Sequence, residues 1–321
     1  MPTVRNTPRW KPGGLSVIIC VLALVGSAAG IYPFAAAWLS SYQQSLVIQS
    51  STGNLDDIDP GVDEQLLMAR AYNEALVAGV ALESGAAVPT GYAEGVGGFT
   101  YRDVLNANDE GVMGRVRIDK IDVDLPIYHG TDHETLKKGA GHLEGSHLPV
   151  GGEGTRTVVT AHRGLATSTL FTNLDEVEAG DRFTITVLGE VLTYEVREKK
   201  VIDPDDTDTL RAEAGRDLAT LITCTPLGVN THRIVVTGER VTPTPIRDIE
   251  EAQAAPTVPG FPWWALIAAG LLITITAYFI HTGFADASSA RRRAERAEAA
   301  RQAKNDDADH NTTEKDTGAP S

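Results

Sequence analysis

Two cysteines occur among the 321 residues. Cys20 lies inside an apolar N-terminal run. Cys224 lies in Thr220–Arg240, "TLITCTPLGVNTHRIVVTGER", which reads as a strand, a turn and a second strand. A thiol attacks only as thiolate, and an ordinary cysteine has a pKa of about 8.5. It therefore needs a base or a cation beside it. Arg233 stands nine residues on, beyond the turn "TPLGVNT". An antiparallel pair closed by that turn sets Cys224 and Arg233 side by side. Arginine stays protonated and offers several donors, so it can hold a developing oxyanion or a substrate carbonyl. His162, in "TVVTAHRGL", ends another β segment just before a glycine-containing loop. Rigid scaffolds commonly hold catalytic side chains at such places. Together these types suit nucleophilic catalysis with a histidine acid/base.

Each residue also has a plainer reading. Cys224 could be a buried, inert hydrophobe. Arg233 could pair with an acid on the sheet wall, and Arg163 could be the relevant arginine. As strand neighbours, though, His162 and Arg163 point to opposite faces, as do His232 and Arg233. Of the eight histidines, His281 falls in an apolar run and His310 in the charged tail. His129, His133, His142 and His147 lie in loop-like, glycine-rich context. His142 and His147 could form a metal pair, but no Cys/His spacing supports a zinc site. "NANDEG" (106–111) lacks the closing acid of a calcium loop. No metal and no cofactor is expected. Papain-like enzymes place Cys before His, and here His162 comes first.

The formal net charge of -15 argues against nucleic-acid binding, because no basic field would neutralise phosphates. Two uncharged runs, Gly14–Trp38 and Phe261–Ile280, approach the roughly 20 residues a membrane-spanning helix needs. Pro33 is expected to kink or end the first. A basic start makes a cleaved signal an alternative, but the apolar stretch exceeds the usual 7–15 residues. Arg5, Arg9 and Lys11 precede the first run, and "RRRAERAEAARQAK" follows the second. That bias puts both termini in the cytoplasm and the segment between outside.

Between the runs, Val62–Gly79 reads as a helix with Leu66, Leu67, Ala71, Ala75 and Leu76 near one face. A Gly/Ala-rich loop follows. From Gly114 the texture alternates, with Val116, Ile118, Ile121, Val123, Leu125 and Ile127 as inward candidates. Further short β segments follow, with a hairpin turn at Gly189 and a short helical interruption at Thr167–Val177. Many short strands with turn signals suggest an all-β barrel or sandwich. The Pro-, Ala- and acid-rich 242–260 stretch reads as a linker, and the final "NDDADHNTTEKDTGAPS" as disordered.

"TLITC" followed by Arg233 resembles the sortase signature of a Thr-Leu-x-Thr-Cys strand and a following Arg strand. "TAHRG" looks like the sortase histidine segment. "GVMGRVRIDKIDVDLPIYHGT", "GAGHLEGSHLPVGGEGTRTVVTAHRGL", "LFTNLDEVEAGD" and "TCTPLGVNTHRIVVTGER" together are similar to class C, pilin-polymerising sortases. The resemblance covers roughly Val62–Arg240. It implies an all-β, closed eight-stranded barrel with short helices, flanked by transmembrane helices. Its expected divisions are a cytoplasmic start (1–13), a transmembrane helix (14–38), an external helix and lid-like loop (39–100) and the catalytic barrel (101–241). A linker (242–260), a second transmembrane helix (261–284) and a cytoplasmic tail (285–321) follow. By the same resemblance Cys224 is the nucleophile, His162 the general acid/base and Arg233 the oxyanion and positioning residue. The implied substrate is an LPXTG-type sorting signal, joined to a pilin lysine. A wall-precursor amine, as in housekeeping sortases, is the alternative acceptor, and a non-catalytic surface β-domain is the alternative of another class. Class C enzymes usually carry a lid with an Asp-Pro-aromatic motif. The Val80–Phe99 loop has none, and Asp59-Pro60 lies before the helix. That loop is expected to cover the groove but hold it weakly.

Overall fold

A computed structural model of the chain describes residues 10, 12–53, 55, 58, 60–76, 100–106 and 111–316. They fall into two compact units. The first comprises the terminal segments, up to Tyr32 and from Pro262. Its helices are the start of α1 (Gly14–Gly53) and all of α5 (Trp263–Asp316). Each contains an apolar stretch long enough to cross a membrane, and the second half of α5 is charged. Gly13 N and Ser16 Oγ donate to Asp286 Oδ2 at 2.8 and 3.1 Å. Trp10 meets Phe279 edge to face at 5.3 Å.

One expectation is narrowed and one corrected here. Of the two effects expected of Pro33, a kink or an end, it does not end α1, since it lies inside the helix. A proline removes one backbone donor, a loss that spanning helices tolerate. The tail expected to be disordered continues α5 to Asp316; its Asn, Asp and Thr residues are weak helix formers, so the helix there is a propagation of the Ala-, Glu- and Arg-rich stretch before it.

The second unit, Pro33–Phe261, holds a closed eight-stranded barrel. Its strands are β1 (Val112–Ile118), β2 (Val123–His129), β3 (Ala140–His142), β4 (Thr155–Thr160), β5 (Arg182–Val187), β6 (Glu190–Ile202), β7 (Asp217–Thr225) and β8 (His232–Arg240). Around the wall they run β1-β2-β3-β4-β7-β8-β6-β5. The hairpins β1–β2, β5–β6 and β7–β8 are antiparallel, whereas β2–β3 and β4–β7 are parallel. Closure leaves no free edge. At the β5–β6 turn Leu188 and Gly189 take φ +46° and +87°, the two positive values a tight hairpin needs. Val116, Ile118, Ile121, Val123, Leu125 and Ile127 are all buried, as alternation predicts. Thr167–Val177 forms turns with one 3-10 turn at Leu174–Glu176.

The helix expected from Val62 is α2 (Val62–Ala75), but its inner face is rotated from the expected one. Leu67 and Ala71 face solvent, while Gln65, Leu66, Ala69, Tyr72 and Asn73 are buried. Two polar residues win that face because they satisfy the backbone of two segments outside the barrel strands. Gln65 Oε1 accepts from Leu105 N at 2.8 Å, and Asn73 exchanges two bonds with Leu148 at 3.0 and 2.7 Å. Position-by-position hydrophobicity cannot register such bonds. The Val80–Phe99 loop lies outside the described residues.

The 242–260 stretch is a docked strap and not a free linker. It contains α4 (Ile246–Gln253). Arg115 Nη1 donates to Ala252 O and Ala254 O at 3.0 and 3.1 Å, and Arg117 Nη1 to Glu251 O at 2.8 Å. Arg115 also holds Asp124 through two bonds of 2.5 and 2.6 Å. Asp124 Oδ2 then accepts from Thr257 N and Oγ1. Trp38 Nε1 donates to Gly260 O at 2.8 Å. Burial alone would raise the Asp124 pKa, but the Arg115 bonds and charge, with Thr257, hold it below the ordinary value. This contribution is present above the unfolded carboxylate pKa and is lost as pH falls through the lower folded one. Asp124→Ala leaves the Arg115 guanidinium, 5% exposed, buried and unpaired. It is expected to cost about 3 kcal/mol in urea unfolding and to open the strap to limited proteolysis. An unchanged midpoint with an intact strap contradicts this assignment.

Candidate active site

The site is set by strand register. On β8, Arg233 pairs with Cys224 of β7, so the antiparallel hairpin places the two as the turn length suggests. On the other side, β7 runs parallel to β4, from Thr155 against Asp217 to Thr160 against Ile222. The ladder stops there but the contact does not. Ala161 N donates to Ile222 O at 3.2 Å. Thr223 Oγ1 donates to Ala161 O at 2.8 Å, with both residues buried and 62 positions apart. The same offset carried one residue further would match His162 with Cys224.

Alternation decides the face. Ala219 and Leu221 of β7 join the main core. Ile222 joins a separate cluster with Val158 of β4 and Val235 of β8. Leu143, Ile202 and Leu210 pack against that cluster. Cys224 shares the face of Ile222, and Arg233 that of Val235. Thiol and guanidinium therefore sit on the outer wall, one row beyond a small apolar floor. Both residues are half-buried.

His162 is held without a carboxylate partner among the described residues. Its carbonyl accepts from Phe171 N at 3.1 Å. Its Nε2 is buried and has no hydrogen-bond partner among the described residues. An orphaned buried ring nitrogen calls for an explanation, and a group that enters during reaction supplies one, since catalytic hydrogen bonds often close only with substrate. Burial first, then the charges of His133 and Lys137, hold the His162 pKa below the ordinary histidine value. The neutral imidazole is thereby favoured, as an acceptor of the thiol proton requires.

Arg163 turns the other way. It donates to Thr172 O at 2.9 Å and Thr225 Oγ1 at 3.0 Å, and pairs with Asp175 at 2.6 Å. It thus ties the loop after His162 to the end of β7. Gly164 has φ +72°, and a Cβ there would collide with Leu227. His232 is directed to Asp203 at 3.3 Å. Arg233 Nη1 donates to Asn230 O and His232 O at 3.1 and 3.0 Å, which braces the arginine on its own turn.

The pair considered for metal binding, His142 and His147, and the nearby His129 meet backbone and hydroxyl partners, His147 Nδ1 accepting from Arg156 N at 3.3 Å. His142 is fully buried, with Nε2 on His147 O at 2.9 Å and Nδ1 on Tyr101 Oη at 2.8 Å. Burial drives its pKa down to about 3. His129 meets the carbonyls of Gly111 and Val104. Sequence reasoning missed two contributors to the site. Thr223 could have been noticed, because alternation puts the residue before Cys224 on the inner face. His133 gave no signal, since only folding brings it to 5.7 Å from the His162 ring.

A sortase domain model matches residues 116–241. Sortase D of Bacillus subtilis is 34% identical over 132 residues, which is 40% of this chain and 64% of that protein. The match spans 52% to 65% of the length of the curated relatives. Among solved structures, sortase C of Streptococcus pneumoniae is 38% identical, with coverage of 62% of this chain and 99% of that one and a TM-score of 0.54. Sortase C1 of Streptococcus agalactiae is 35% identical, with the same coverage and TM-score.

Thr223→Val keeps the shape but removes the donor to Ala161 O. A cost of about 1–2 kcal/mol in urea unfolding is expected for the unsatisfied buried carbonyl. A fall in kcat without a rise in KM should accompany it. Wild-type stability and kcat in this variant would show that the bond does not hold the two strand ends.

Proposed function

The chain belongs to the sortase family, and from that premise we propose that it is a membrane-anchored cysteine transpeptidase that assembles pilins. The observation that carries this reading is the strand register that pairs Cys224 with Arg233 across β7 and β8. It is supported by the offset of the β4–β7 pairing, which continued past its end matches His162 with Cys224. Assigned roles follow from chemistry. The Cys224 thiolate attacks the threonine carbonyl of an LPXTG-type sorting signal. Arg233 donates to the oxygen that gains the negative charge. His162 protonates the departing glycine amine as the C–N bond breaks, leaving a thioacyl enzyme. A lysine amine of another pilin then gives its proton to His162 and attacks the thioester. An isopeptide bond forms and the thiolate is released.

Several observations support the finer points. Sortase C of Streptococcus pneumoniae, similar to this chain, is described in connection with pilin substrate specificity. A pilin lysine is accordingly the preferred acceptor, and a wall-precursor amine remains the second reading because sortase A proteins are also relatives. The two apolar helices fit a two-pass anchor with the barrel outside. Both termini are placed in the cytoplasm by the Lys/Arg bias. The contact of Gly13 with Asp286, which brings the start of one span to the end of the other, agrees with that placement. We set the catalytic domain at 101–241, with the 242–260 strap as part of the same folded unit.

Incubation with a sorting-signal peptide should give a thioacyl adduct by intact mass, and Cys224→Ala should give none. His162→Ala and Arg233→Ala should each lower the cleavage rate at least about 100-fold. Absence of adduct from folded wild-type protein would favour the non-catalytic surface domain. Product formed only with a wall-precursor amine would favour anchoring over polymerisation.

A further inference from the structure

One ring beside His162 has no role in the scheme above. His133 opens the short helix α3 (His133–Lys138). Its ring stands 5.7 Å from that of His162, with the planes at 75°. Aromatic pairs prefer such an edge-to-face arrangement. Both backbones are fixed. Asp132 Oδ1 caps α3 by accepting from Glu134 N and Thr135 N, each at 3.0 Å, and Oδ2 accepts from Thr135 Oγ1 at 2.9 Å. Phe171 N holds the His162 carbonyl, and Thr223 holds the residue before it. With the backbones fixed, the coordinate left free is rotation of the His162 ring, and on that ring depends where the orphaned Nε2 points. A third group commonly orients a catalytic base, often a carboxylate. Among the described residues no acid bonds to His162.

We propose that His133 is a positioning residue for His162, whose ring fixes the imidazole plane so that Nε2 stays turned toward the thiol and the leaving amine. His133 is exposed on its outer side, so it does not hold the fold. The charged groups around the pair are few. From α3 come His133 and Lys137, the latter ion-paired with Glu134 at 2.7 Å. Arg163 is drawn away to Asp175. Cys224 and Arg233 come from the β7–β8 hairpin. Burial, then His133, then Lys137 lower the His162 pKa. Loss of His133 opens the ring to water and removes one of the groups that lower its pKa, and both changes raise it.

The catalytic part of this inference rests on the transpeptidase reading, so the test has two arms. In the first, kcat, KM and the pH profile of peptide cleavage are measured for the full chain in detergent. His133→Ala is expected to lower kcat about threefold to tenfold, the worth of an edge-to-face pair. KM should stay unchanged and the acid limb should move to higher pH. His133→Phe keeps the ring but removes its ionisable nitrogens, so kcat should recover while the limb stays displaced. Wild-type kcat and an unmoved limb in His133→Ala would overturn the proposal, as would no recovery in His133→Phe. In the second arm the His162 ring is titrated by NMR in Cys224→Ala protein, with and without His133→Ala. A higher midpoint without His133 is expected. An unchanged midpoint overturns the proposal even where wild-type protein turns over no peptide, a result that by itself counts against the function alone.

Discussion

The parallel ladder of β4 and β7 begins with Thr155 against Asp217 and ends with Thr160 against Ile222, and the site is built on where it ends. A parallel pair keeps one offset along its length, so the chain just past the ladder inherits the registry. Thr223 extends it by one side-chain bond to Ala161 O. That bond is buried, and in the proposed reading it holds the strand ends that carry Cys224 and His162. The β7–β8 hairpin adds Arg233 at the same level. In the proposed reading, nucleophile and cation come from the adjacent strands β7 and β8, and the base from the segment just past β4.

Preorganisation here is mostly secondary. Arg163 locks the loop after His162 through Thr172, Thr225 and Asp175. Asn230 and His232 carbonyls brace Arg233. Among the described residues, what stays unmade is the His162 Nε2 bond. A buried polar atom left open costs stability, and it makes sense where substrate or thiol completes the partnership. A lowered pKa fits the same arrangement, because a neutral ring can take a proton and later return it.

The sequence exposed part of this in a physically sensible order. Cys224 and Arg233 were legible because an antiparallel hairpin is a local object whose pairing follows from a short turn. The position of His162 at a strand end was legible from the glycine that follows it. Its nearness to Cys224 was implied only by family resemblance, since parallel pairing across 62 residues leaves no periodic trace. Composition also misread segments stabilised by long-range polar bonds. Pro, Ala and acids made 242–260 look like a linker, yet the guanidinium of Arg115 collects its carbonyls. Gln65 and Asn73 took inner positions on α2 because they complete the backbone of two segments outside the barrel strands.

A crystal structure of the chain with a sorting-signal mimic captured on Cys224 tests the account most directly. The account predicts Arg233 Nε or Nη2 within hydrogen-bond distance of the captured carbonyl oxygen, and His162 Nε2 within the same reach of the scissile nitrogen position. Capture on Cys224 with His162 turned away, or with Arg233 still held only by its own turn, would contradict it.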